Sequence, residues 1–395
     1  MLLFLMASLG VTMALAQDYE EEGGLIFWLL VLPVVILPMT RPMLLLEAMR
    51  GRALIMVLFL LFAGGWQAAR GDWSAVLHLS VFIWGVIWVS SDQAKIKFDD
   101  LYLLYAAAIG VGVVIWLSGE LNLWGVIPGT TLAAGEAVWR VSFFPNIAYT
   151  GFFSLAFLMI YTRDPRPKGR YALVFLLAAY FIVFSFVRTA IISLVIYFAL
   201  TWLFRRKASP SFLFWVALLT SIGATLLIAY SGTIFAGLQN NAVFSRTFFR
   251  GETGLSTAEI YDQIYRPWLW GQHLRQFATS PFLMGWGETD FYMRYGGDVS
   301  LPTRLLAQFG LPALLFIAFV IGRLAVLAKR GDAWGCACFP AIIMVMTQWG
   351  TMFHPTDAMF ALYMIILVHG ASAFGPRLAR GMVVNPRLPK SAGAM

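Results

Sequence analysis

Long unbroken apolar runs, separated by short polar breaks, recur along the whole chain. Twelve can be marked, at residues 1–16, 24–39, 53–67, 73–90, 101–118, 145–162, 171–187, 189–204, 211–236, 305–328, 335–353 and 357–375. About 20 apolar residues in helical form cross the hydrocarbon core of a bilayer. Helix is expected because lipid offers no partner for an exposed backbone N–H or C=O. The runs lack the in–out alternation of barrel strands. The pattern predicts an all-α integral membrane protein, a bundle of about 12 transmembrane helices forming a single domain over residues 1–375. Residues 376–395 follow as a basic, proline-containing tail, expected to be flexible and cytoplasmic. The first run ends Ala14-Leu15-Ala16 like a signal peptide, but it lacks a positive n-region and is kept as a helix.

Composition removes the soluble alternative. Of 395 residues, 60% are hydrophobic and 12% charged, with mean hydropathy +0.77. Soluble domains carry about 25% charged residues, and half that fraction cannot coat a water-facing surface. The net charge of +8 does not point to nucleic acid. The basic residues sit between apolar runs, where cations anchor cytoplasmic loops. With both termini inside, the inner loops and tail hold eighteen of the 28 basic residues, including all six lysines. Arg70, Arg140, Arg188, Arg246, Arg250, Arg266, Arg275, Arg294 and Arg304 fall on the outer side, and every one is arginine. Arginine's planar fork grips phosphate bidentately, whereas lysine is a point charge. The bias fits an external anion site, and it equally fits the cost of inserting lysine.

Two external segments are long enough to build a site: residues 119–144, and residues 237–304 with Gly, Trp, Tyr and both charge signs. A loop of the second length is uncommon unless functional or disordered, and its aromatics argue against disorder. Within it, residues 266–277 read as an amphipathic helix with Pro267 in the first turn. Trp270, Leu274 and Phe277 are expected on one face, and the helix is expected to lie flat on the bundle. A Gly-rich turn, Ser280-Pro281-Phe282-Leu283-Met284-Gly285-Trp286-Gly287-Glu288, follows and places Glu288 and Asp290 just beyond it. Arginines near carboxylates here read either as surface salt bridges or as a site. Trp268, Trp270 and Trp286 fit either an interfacial belt or stacking on sugar rings. Arg188, between two apolar runs, fits either a snorkelling anchor or a pyrophosphate clamp.

Other chemistries find less support. The histidines His78, His273, His354 and His369 show no metal-ligand spacing. Cys336 and Cys338 are two residues apart, which turns them to different helix faces, and they read as packing residues. No phosphate-binding P-loop or dinucleotide fingerprint occurs. No internal repeat is found, and few ionisable residues fall within the runs, so a transporter is the distant alternative.

The twelve-run layout, Arg188-Thr189-Ala190 at a hairpin tip, Arg266 four residues before Trp270, and Ser280-Pro281 followed by Gly285-Trp286-Gly287 together resemble the O-antigen polymerase and O-antigen ligase superfamily. So does Arg140 shortly before Pro145-Asn146. The likeness covers about Arg140 to Gly310. It implies a glycosyltransferase at the outer face of the bacterial inner membrane, in the biosynthesis of a polysaccharide such as O-antigen or exopolysaccharide. The donor would be a polyprenyl-pyrophosphate-linked glycan and the acceptor a second glycan, with no cofactor and no metal. The resemblance leaves room for a chain-length regulator protein as partner, besides membrane lipids.

Ligases of the family usually carry His-Asn about eleven residues before the Gly of a Leu-Leu-x-x-x-Gly segment. Here that segment is Leu305 to Gly310, and Val299-Ser300 stands in the corresponding place. Asp298 is adjacent, and polymerases often look acidic in this region. The departure favours a polymerase, with a ligase acting on lipid A-core or another acceptor as the near alternative. On this reading Arg188 and Arg266, supported by Arg275 and Arg140, bind the departing pyrophosphate. Asp298, with Glu288 and Asp290 behind it, assists the attacking hydroxyl.

Overall fold

The computed structural model describes residues 5, 6, 8, 9, 32, 36, 43, 53–91, 96–117, 125–131, 137–144, 147–164, 172–185, 187–205, 208–229, 266–287, 290, 291, 300–348 and 358–374. The predicted runs 1–16 and 24–39, apart from a few residues, and the tail 376–395 lie outside them. Ten helices occupy the other predicted runs among the described residues. They are α1 (Leu54–Ala69), α2 (Trp73–Ser90), α3 (Phe98–Leu117), α4 (Ile147–Tyr161), α5 (Ala172–Phe184), α6 (Arg188–Leu203), α7 (Pro210–Ala229), α10 (Leu314–Lys329), α11 (Ala333–Gln348) and α12 (Ala358–His369), with the further helices α8 (Arg266–Thr279) and α9 (Leu301–Phe309) between α7 and α10. Trp73–Ser90, Pro210–Leu227 and Leu311–Lys329 are long and apolar enough to cross a membrane.

The outward surface of these helices is greasy. Phe62, Leu176, Val195, Trp202 and Leu219 are 59–69% exposed, values that lipid tolerates and water does not. Inside, α4, α11 and α12 are almost wholly buried. α6 and α7 pack on α11, α5 on α4, and α2 on α12. Some polar atoms in this core pair across helices. Tyr363 Oη donates to the Phe152 carbonyl at 2.7 Å, and Tyr105 Oη meets Ser154 Oγ at 2.8 Å. Cys336 and Cys338 are free, buried thiols in α11. Arg323, within a predicted run, is 4% exposed and donates to the Val368 carbonyl, tying α10 to α12.

Two tight helical turns are built from the same tripeptide. Arg70-Gly71-Asp72 joins α1 to α2, and Arg330-Gly331-Asp332 joins α10 to α11. In each, glycine takes the left-handed conformation (φ 79° and 66°) that an L residue adopts at a cost of about 1–2 kcal/mol. The aspartate N–H then reaches back to the carbonyl of Gln67 or Leu327, both at 3.0 Å. The aspartate carboxylate caps the next helix, accepting from Ala75 N at 3.1 Å and Gly335 N at 3.0 Å.

These turns mark the two ends of the bundle. The first touches the segment just before α10, and the second follows α10. Tyr197, in the later half of α6, contacts Trp334 beside the second turn, so α6 begins toward the first end. Val141 N donates to the Phe184 carbonyl at 3.1 Å, which brings the chain after Arg140 to the α5–α6 tip.

Two sequence expectations change. The run 305–328 is not one helix: α9 (Leu301–Phe309) stops at Gly310, whose φ is 67°, and a 3₁₀ turn over Leu311–Ala313 leads into α10. Left-handed glycine and Pro312 break a stretch that hydropathy alone reads as continuous. The segment 119–144 also contains an antiparallel hairpin, β1 (Gly125–Thr131) with β2 (Ala137–Arg140), pairing Gly125 with Arg140 and Val126 with Trp139. The all-α class therefore holds for the bundle but not for this ribbon.

Candidate functional site

Residues 266–287 and 300–309 fold onto the first end. Helix α8 (Arg266–Thr279) opens with Pro267 in its first turn, where a missing N–H costs nothing, and packs along α9. Its buried side differs from the expected one. Trp270 is buried, but Leu274 is 46% exposed, and His273 (0%), Gln276 (6%) and Ser280 (6%) turn inward instead. Their spacing follows the 3.6-residue period as well as that of Trp270, Leu274 and Phe277. Reading hydrophobicity alone selected the wrong stripe.

After α8 the chain forms a clasp on α9. Gly285 N donates to Ser280 Oγ at 3.1 Å and closes a loop whose Phe282 and Leu283 hold φ of 53° and 58°, strained for side chains of that size. Trp286 N donates to the Ala307 carbonyl and Gly287 N to the Gln308 carbonyl, each at 2.9 Å. Gly285 and Gly287 are left-handed (φ 81° and 79°). A Cβ on Gly285 would collide with the Gln308 carbonyl, and one on Gly287 with Asp72 Oδ2. Gly310 is confined in the same way by Leu283 and Met284. The Gly-Trp-Gly and Leu-Leu-x-x-x-Gly segments thus interlock through their backbones. Trp286 Nε1 donates to the Gln276 carbonyl at 2.8 Å, fastening the clasp to α8.

The first turn supports this arrangement from below. Gln67 Nε2 donates to the Gln308 carbonyl at 3.1 Å. Arg70 donates to the Gly285 carbonyl at 3.2 Å and pairs with Asp290 at 2.9 Å. That pair is substantially exposed, so it orders the surface more than it stabilises it.

Between α8, α9 and this turn lies a cluster of buried polar groups. His273 Nδ1 meets Thr303 Oγ1 at 3.0 Å, and its ring lies against Phe291 with centroids 5.1 Å apart. Arg304, 6% exposed, donates from Nε to Gln308 Oε1 at 3.3 Å. Among the described residues, both amide atoms of Gln276, Gln67 Oε1 and Ser300 Oγ are buried with no hydrogen-bond partner. Each such group costs about 1–3 kcal/mol, and native structures keep few of them. Four such atoms lie on the elements that surround the buried Arg304 guanidinium.

The structure distributes the sequence-derived candidates as follows. Arg188 begins α6, half-buried, and Arg140 ends β2 beside the same helical tip. Ser142 Oγ and Thr150 Oγ1 hold the intervening strip at 2.7 Å. Gly151 lets Val187 approach α4 closely. Arg266 begins α8, and Arg275 lies on the exposed face of α8. Trp268 is on α8. Trp270 is buried beside Leu269 and Ala229, at the end of α7, and Trp286 is in the clasp. Asp290 is engaged by Arg70. Glu288 and Asp298 lie outside the described residues. His273, Gln276 and Arg304 were not chosen from sequence. The spacings 273–276–280 and 300–304–308 were the available signal, because they set polar residues along facing helix sides.

No family model, curated protein or solved structure matches the chain. The chemistry must therefore be argued from the arrangement. Cations sort by end: the segments bearing Arg70, Arg140, Arg188, Arg266, Arg275 and Arg304 belong to the first, and Lys97, Arg163, Arg205, Lys329 and Arg330 to the second. The first end also holds the buried amides of Gln67, Gln276 and Gln308, with Trp270 and Trp286. It can bind an anion and present directional hydrogen bonds to a polyhydroxylated group.

Proposed function

We propose that the chain is a polysaccharide polymerase of the inner membrane. In this reading about twelve helices span the bilayer, both termini are cytoplasmic and the first end faces the periplasm. Two lipid-linked glycans meet there. A hydroxyl of the acceptor attacks the anomeric carbon of the donor, the bond to the diphosphate breaks, and polyprenyl pyrophosphate leaves with the bonding pair. Arginines that grip the leaving group more strongly as charge develops lower the barrier. Arg188 and Arg266 take that part, supported by Arg275 and Arg140. Asp298 receives the hydroxyl proton, with Glu288 behind it. Asp290, held by Arg70, serves as a strap.

The observation that carries this reading is that arginine-bearing segments and a buried polar cluster occupy the same end of an apolar bundle. His273, Gln276 and Arg304 extend the proposal as sugar-binding groups. The test is elongation of purified lipid-linked repeat units by the protein in proteoliposomes, without a soluble energy source. Arg188→Gln should lower the rate by about 10²–10³, the cost of removing one donor to a developing charge. Product on a lipid A-core acceptor alone would favour the ligase. Absence of any product with either acceptor would refute glycan transfer.

A further inference from the structure

At the second end, the last residues of α4, the start of α5, the end of α6 and the turn before α11 surround a cavity of about 790 Å³. Small-molecule sites run to about 300–1,000 Å³. Phe175 and Phe198 form apolar walls, and Arg163 and Arg205 line the same space from two different helix ends. The inner wall is fixed. Trp334 Nε1 donates to the Met159 carbonyl at 3.2 Å and to Tyr197 Oη at 3.1 Å, while the Tyr197 and Thr162 hydroxyls bond each other. The neighbouring carboxylates are engaged in the fold: Asp332 accepts from Gly335 N and Ala371 N, and Asp164 accepts from Tyr102 Oη at 3.0 Å. Toward the outside, Leu176 and Phe198 are 61% and 44% exposed, and Trp202 beyond them is 69% exposed. Polar cationic space therefore opens directly onto an apolar flank.

That combination matches an amphiphile with a phosphate head. Guanidinium groups suit phosphate oxygens, and an alkyl chain gains by lying on exposed aliphatic and aromatic surface. We infer that this cavity binds the phosphate headgroup of an anionic lipid from the surrounding leaflet, with Arg163 and Arg205 on the phosphate and the chains laid over Leu176 and Phe198. Free phosphate shares the headgroup chemistry but lacks the chain that the flank would hold. The site is at the opposite end from the proposed glycan transfer and requires only that the bundle sit in a bilayer.

Lipid retention tests it, with no glycan substrate involved. The purified full chain in detergent is given phosphatidylglycerol and phosphatidylcholine with identical acyl chains, and bound lipid is read by native mass spectrometry. Wild type should retain phosphatidylglycerol in preference. Arg163→Gln and Arg205→Gln should each lower that retention about tenfold, the worth of one charge-assisted contact. Arg330→Gln, an exposed cation at the same end but not among the lining residues, should leave it unchanged. If Arg163→Gln does not fold, Arg205→Gln carries the comparison, because Arg205 is exposed. Equal retention of the two lipids, an Arg330→Gln loss as large as that of Arg205→Gln, or displacement of the lipid by equimolar inorganic phosphate would each overturn the inference.

Discussion

Gly285→Ala should open the external clasp while leaving the bundle intact. At φ 81° the new side chain carries a left-handed penalty of about 1–2 kcal/mol. Its Cβ also collides with the Gln308 carbonyl, a backbone atom that cannot swing aside. Relief requires the turn to lift off α9, which breaks the bonds from Trp286 N to Ala307 and from Gly287 N to Gln308. Two such bonds contribute about 1–3 kcal/mol together. The total, about 2–5 kcal/mol, raises the local opening equilibrium by roughly 30-fold to several thousand-fold. Hydrogen–deuterium exchange in detergent reads this directly. Amides of 285–287 should lose protection, while α4, α11 and α12 keep theirs. Gly271→Ala is the control: nothing lies within 4 Å of its added Cβ, and in a helix it should be neutral or stabilising by up to about 1 kcal/mol. Unchanged protection at 285–287 in a folded Gly285→Ala protein would refute the interlock.

Gln276→Met removes two buried, unpartnered amide atoms while keeping the side-chain length. It should raise the thermal midpoint, by about 1–3 kcal/mol of stability, and slow glycan elongation; a midpoint that falls would show that the amide is satisfied in the protein. Asp290→Asn should cost less than about 1 kcal/mol, because its pair with Arg70 is exposed; a double-mutant cycle with Arg70→Gln in thermal unfolding would expose a larger coupling if the strap mattered more.

Hydropathy located the bundle because lipid leaves the backbone no choice but helix, and ten predicted runs hold helices among the described residues, the run 305–328 broken in two. It failed where apolar character and backbone geometry part company. Leu305 and Leu306 are as apolar as Leu314 and Leu315, so only Gly310-Leu311-Pro312 announced the break between α9 and α10. Hairpin β1–β2 was signalled by Val126, Ile127, Thr130 and Thr131, with Pro128-Gly129 weakening the pattern. The site was legible in its motifs but not in its orientation. Gly285, Gly287 and Gly310 are visible as a spacing, yet only the structure gives the reason: backbone at Gly285 and Gly310, and the Asp72 carboxylate at Gly287, leave no room for a Cβ. On α8 the buried stripe includes His273 and Gln276, whose burial carries a transfer cost that hydropathy reads as exposure. Such departures concentrate at functional surfaces.

The repeated Arg-Gly-Asp turn shows how the α8–α9 segment is held on the bundle. At the second end Asp332 caps α11 with one oxygen and receives Ala371 N with the other, joining two core helices. At the first end Asp72 caps α2 in the same way, but its second oxygen occupies the space beside Gly287, in the external clasp. The device that closes a core contact at one end therefore seats the 285–287 turn at the other. Gln67 and Arg70, from the same turn, reach Gln308 and Gly285. Stabilising a departing diphosphate demands donors that are already in place, since reorganisation at the moment of reaction erodes the gain. A segment fastened to the bundle by backbone hydrogen bonds and glycine contacts would meet that demand, under the proposed glycan transfer, as a helix would.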